Sequence, residues 1–76
     1  MPHKVELVNL YKKPLDAKIV MEKLAGALSV KPLKVIVDNS KWTVTVEFPM
    51  KPDRRLVQEV EKILRLKELV EGGDGG

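Results

Sequence analysis

A two-layer α+β domain in the order strand, helix, strand, strand, helix is the fold class this sequence predicts, on three observations. Residues 42–48 alternate, with Trp42, Val44, Val46 and Phe48 on one side and Thr43, Thr45 and Glu47 on the other, as in a half-buried strand. Two segments, 15–28 and 56–70, carry apolar residues at three- and four-residue spacing, as in helices with one buried face. Pro14, Pro32, Pro49 and Pro52 fall between these segments and mark their boundaries.

The first strand is placed at Lys4 to Tyr11, where Val5, Leu7, Val8, Leu10 and Tyr11 make a short apolar run. The first helix follows from Leu15 to Leu28. Ile19, Val20, Leu24, Ala27 and Leu28 form its inner face, and Gly26 weakens it slightly. Val30, Lys31 and Pro32 connect it to a hairpin over 33–48 that turns about Asn39 and Ser40. That turn sets Val37 opposite Trp42, Val35 opposite Val44 and Leu33 opposite Val46. Asp53 can cap the second helix, whose inner face is Leu56, Val60, Ile63, Leu64 and Val70. Glu61 and Arg65 add a favourable surface pair.

A right-handed crossover from the first strand to the second leaves room for the third between them, antiparallel to both. The expected sheet is therefore three-stranded and antiparallel, order 1-3-2, with both helices on the Trp42 face. In an alternative, the second helix ends near Leu64 and residues 67–71 form a fourth strand, as in a full ferredoxin-like fold. Helix propensity over 54–71 favours the continuous helix. Residues 1–71 read as one domain and 72–76 as a flexible glycine-rich tail.

Seventy-six residues allow one domain with a small core, for which self-association would be a stabilising addition. With no cysteine there is neither a disulfide framework nor a thiolate metal site. No segment approaches the roughly 18 apolar residues of a membrane span, and the N-terminus lacks a signal-peptide run, so a cytoplasmic protein with no membrane partner is expected. Abundant Lys and Glu with a single Gln, Gln58, is a balance common in thermophile proteins. The net charge of +3 tilts mildly toward anionic partners.

Catalytic equipment is sparse, and no enzyme activity, cofactor, metal or small-molecule substrate is expected. His3 is the one histidine, and Ser29 and Ser40 sit at a helix end and a hairpin tip, so no nucleophile and base can be paired. Asp16, Asp38 and Asp53 read as capping or turn residues. Gly75-Gly76 resembles the activated tails of ubiquitin-like proteins, but those begin strand, strand, helix.

Two surfaces are candidates for function. Following the chain through its elements brings Lys4, Lys31, Lys34, Lys51, Arg54 and Arg55, with His3, to one end of the sheet. Arg54 and Arg55 fall in the first turn of a helix, where acidic residues are favoured, so an anion such as an RNA phosphate would relieve the local repulsion. Lys31, Lys34, Lys51, Arg54 and Arg55 are the candidate anion-binding or RNA-binding residues. The second candidate is a partner interface. Val5, Leu7, Val8 and Leu10 leave the first strand apolar on both faces at an open edge, and Ile36 interrupts the polar face of the second. A homodimer or heterodimer through the edge or outer face of these strands is expected.

The pattern of an edge strand, a helix opened by Asp16-Ala17, a hairpin ending Val44-Thr45-Val46-Glu47-Phe48 and a last helix from Leu56 through Leu64-Arg65-Leu66 resembles the small dimerising subunit of the KEOPS complex. That family is archaeal and eukaryotic, and its complex helps make threonylcarbamoyladenosine on transfer RNA. The resemblance implies a non-catalytic scaffold that pairs with a related small subunit, with transfer RNA as a further candidate partner and the nucleotide and metal sites on another chain. A short loop before the hairpin and the prolines before Arg54-Arg55 depart from the pattern and suggest a diverged paralogue. The alternative is a stand-alone basic RNA-binding protein. A heavy-metal-associated module of similar order would need cysteines near Asn9 to Lys13, where there are none.

Overall fold

The computed structural model describes residues 2–69. Its elements are β1 (His3–Val8), α1 (Ala17–Ala27), β2 (Lys34–Asp38), β3 (Thr43–Phe48), α2 (Arg54–Leu64) and β4 (Lys67–Glu68). The sheet runs β2-β3-β1-β4, every neighbouring pair antiparallel. The expected 1-3-2 core order is present. The expected three strands are four, and the order is the ferredoxin-like split arrangement set aside above on propensity. Val70 and the proposed tail over 72–76 lie outside the described residues.

The fourth strand exists because α2 stops at Leu64. Arg65 takes a left-handed φ of 59°, and the Leu66 amide donates back to the Glu61 carbonyl at 3.1 Å, the six-to-one closure of a helix terminus. Continuing the helix would bring Lys67 into line with Val60 and Leu64, carrying a lysine onto the buried face. Ending it buries Leu66 instead. The Glu61 carboxylate then accepts the Glu68 amide at 2.9 Å, and the Leu69 amide donates to the Glu6 carbonyl at 2.8 Å, which seats the returning chain along β1.

The core lies between the helices and one sheet face. Val5 and Leu7 of β1 and Val44, Val46 and Phe48 of β3 meet Val20 and Leu24 of α1 and Leu56, Val57 and Val60 of α2. Burying side chains of this size stabilises by roughly 1.5–3 kcal/mol each, so this layer is what holds a small chain together. The inward stripe of α1 is Val20 and Leu24, continued by Leu28 at its C-cap. Ile19, expected on that face, is 51% exposed, and Ala27 is exposed too.

Three boundaries move from their expected places. β1 ends at Val8, so Leu10 and Tyr11 belong to a turn. The hairpin loop spans residues 39–42, pairing Val37 with Val44 and Val35 with Val46. That is a two-residue shift from the expected register. The Asp38 carboxylate causes it by accepting the Ser40 and Lys41 amides at 2.9 and 3.0 Å, which lengthens the turn. Trp42 closes the loop at a φ of 59° and is half-buried, so it does not join the β3 core face. Leu33 falls outside β2 and is 57% exposed.

Candidate functional site

The register builds the expected basic end only in part. Antiparallel pairing puts Lys4 and Lys34 on either side of Glu47, so a carboxylate sits between the two lysines. Arg54 is exposed, but its guanidinium pairs with the Glu68 carboxylate at 3.0 Å and is turned toward β4. Lys51 and Arg55 line an open cleft of about 440 Å³ between the end of α1 and the start of α2. Asp53 and Glu59 line it as well, and Met50 and Val30 supply apolar wall. Lys31 is exposed in the connection before β2.

The local repulsion at the start of α2 is also relieved internally. The Asp53 carboxylate accepts the Leu56 amide at 2.8 Å, supplying both an acceptor and a negative charge at the helix N-terminus. The anion inferred from Arg54 and Arg55 therefore has a resident competitor.

The candidate interface residues separate into two groups. Val5 and Leu7 are core, at 5% and 0% exposure, and β1 is an interior strand between β3 and β4. They are not available to a partner, because their side chains lie in the core beneath the helices, and β4 pairs along the outer side of β1 at Leu7 and Val8. Val8 is half-buried and pairs with Lys67. Leu10 and Ile36 are exposed, at 63% and 44%. Among the described residues two edges stay open: the outer side of β2, a regular five-residue strand, and that of the two-residue β4, which pairs with β1 only at Leu7 and Val8.

A second site, missed in the sequence, sits at the opposite end of the sheet. The Asn9 amide donates to the Trp42 carbonyl at 2.8 Å, which ties the turn after β1 to the hairpin loop. Asn9 is itself buried, and its Nδ2 donates to the Lys13 carbonyl at 2.8 Å. Asn39 holds the same loop to the backbone of Leu15 through two hydrogen bonds of 3.0 Å. A cleft of about 300 Å³, with Tyr11 and Lys13 on one wall and Leu64 and Arg65 on the other, brings in the end of α2. Segments 9–15, 39–42 and 64–66 thus converge. Their sequences pair aromatic and basic residues, Tyr11-Lys12-Lys13 and Lys41-Trp42, but the convergence needs the β1–β3 register.

Among the described residues no group of three His, Cys, Asp or Glu side chains could hold a metal, and no helix is long and apolar enough to cross a membrane. Comparison with known protein families, with curated proteins and with solved structures finds no match to this chain.

Proposed function

We propose that the chain is a non-catalytic scaffold subunit that joins a second polypeptide, a copy of itself or a related small chain, through the open edge of β2. The observation that carries this reading is that edge. Val35, Ile36 and Val37 form its centre with no charge or proline among them, and such strands are normally guarded or paired. Ile36 on the outer face and Leu33 just before the strand add exposed apolar area beside it. β4, at the other edge, offers two residues among those described. Of the two strands expected to carry the interface, this reading rests on the second alone.

The resemblance to the KEOPS small subunit, from which the chain departs in having β1 interior and α2 ended at Leu64, gives this proposal its specific form: a partner in a complex that makes threonylcarbamoyladenosine on transfer RNA. A stand-alone RNA-binding protein acting through Lys31, Lys34, Lys51, Arg54 and Arg55 has less support, because Glu47, Asp53, Glu59 and Glu68 stand among those cations.

Sedimentation velocity across micromolar concentrations, alone and mixed with a KEOPS small subunit, tests the reading. A dimer or a 1:1 complex is expected, weakened at least tenfold by Ile36→Glu. A monomer that ignores the added subunit would remove the proposal.

A further inference from the structure

We infer that the end of the molecule formed by segments 9–15, 39–42 and 64–66 binds single-stranded nucleic acid, with Tyr11 and Trp42 offering faces for bases and Lys12, Lys13, Lys41 and Arg65 contacting phosphates. This inference does not depend on pairing through β2.

Charge is the first support. The three segments carry those four cations and no acidic residue. The nearest carboxylates in the sequence flank the three segments and stand outside them: Asp16 accepts the Lys18 amide at 2.9 Å, Asp38 accepts the Ser40 and Lys41 amides, Glu61 accepts the Glu68 amide, and Glu68 pairs with Arg54 at 3.0 Å. The opposite end, by contrast, mixes both signs within one cleft.

Aromatic exposure is the second. Tyr11 is 66% exposed, and Trp42 is half-buried on a loop outside the core. Aromatic faces set in a cationic surface suit splayed bases and the backbone that links them, whereas a duplex keeps its base faces stacked.

Backbone conformation is the third. Lys12, Trp42 and Arg65 are the non-glycine residues with positive φ among those described, at 53°, 59° and 59°, and all three lie in this region. Glycine or asparagine fits such positions with least strain, and bulky residues there are uncommon. Two cations and the single tryptophan stand where glycine would be easier, as expected if their side chains serve a ligand.

The test is a titration with an oligouridylate of about twelve nucleotides, within the range one small domain covers. Anisotropy of the labelled strand reports binding, and Trp42 fluorescence reports its place, since the chain has one tryptophan. Saturable binding with quenching of Trp42 is expected. Four phosphate contacts predict affinity falling about fiftyfold between 50 and 200 mM salt. Tyr11→Ala should weaken binding about tenfold through lost stacking. Lys13→Glu with Lys41→Glu should weaken it further.

Arg65→Gly separates binding from folding. It relaxes a left-handed position, so the variant should melt no lower than wild type while binding more weakly. An oligothymidylate run in parallel distinguishes ribose from deoxyribose, and saturable binding of either strand supports the inference. Any of four results would overturn it: no binding of either strand, binding without a change in Trp42 fluorescence, equal affinity for a duplex of the same length, or loss of binding in Lys51→Glu, Arg55→Glu but not in Lys13→Glu, Lys41→Glu.

Discussion

The side-chain amide of Asn39 hydrogen-bonds both backbone groups of Leu15, accepting from its N–H and donating to its C=O, each at 3.0 Å. One side chain in the hairpin loop thus fixes the residue just before the Asp16 cap of α1, acting as a one-residue strand partner. Asn39→Ala should lower stability by about 1 kcal/mol, since exposed hydrogen bonds contribute modestly and water can replace them. Asn39→Asp keeps the acceptor and loses the donor, so above neutral pH it should fall between the two. Urea unfolding of the three proteins checks the order.

Gly26 lies near the end of α1, and a Cβ added there would meet nothing within 4 Å. Gly26→Ala should therefore stabilise the fold by about 0.5–1 kcal/mol through helix propensity alone. A denaturation midpoint that fails to rise would mean this turn of α1 needs freedom that alanine removes.

The Lys41 and Ser40 amides hold the Asp38 carboxyl below its ordinary value of 3.8. A carboxylate depressed on folding contributes stability that is present above its unfolded pKa and is lost as pH falls through the folded value. Acid should therefore loosen the hairpin loop only below about pH 4. Asp38→Ala should show a flatter stability profile than wild type in that range, with no difference in slope between pH 6 and 8. Chemical denaturation at closely spaced pH values reads both slopes.

Glu61 seats β4 by accepting the Glu68 amide. Glu61→Ala should free the returning chain, so the Glu68 and Leu69 amides exchange hydrogen faster while those of β1 opposite β3 stay protected. Glu61→Gln keeps an acceptor oxygen and should restore most of the protection. The Arg54 pair with Glu68 is exposed on the arginine side, and its removal should cost less than about 0.5 kcal/mol. If Arg54→Ala were the larger effect, the seating of β4 would rest on charge and not on the amide.

Some of this was open in the sequence by itself. Alternation over residues 42–48 and helical spacing over 15–28 and from Leu56 onward determined the first five elements, their order and the side of the two hairpin strands that faces the core, because the pleat and the helix turn allow one apolar face each; the first strand, apolar on both sides, and the fourth strand were not settled this way. The same logic could not separate registers two residues apart, since an even slip leaves every side chain on its own face. The Asp38 turn decided that, and with it the removal of Trp42 from the core. Propensity favoured a long second helix, yet the helix gave way where Lys67 would have faced inward and Leu66 could be buried instead. A lysine in line with Val60 and Leu64 was the available signal. What only the tertiary structure decided is which segments meet: β4 pairs along β1 at Leu7 and Val8, Glu47 divides Lys4 from Lys34, and Tyr11, Trp42 and Arg65 gather at the far end, because proximity between residues far apart in the chain is set by strand order and local spacing carries no record of it.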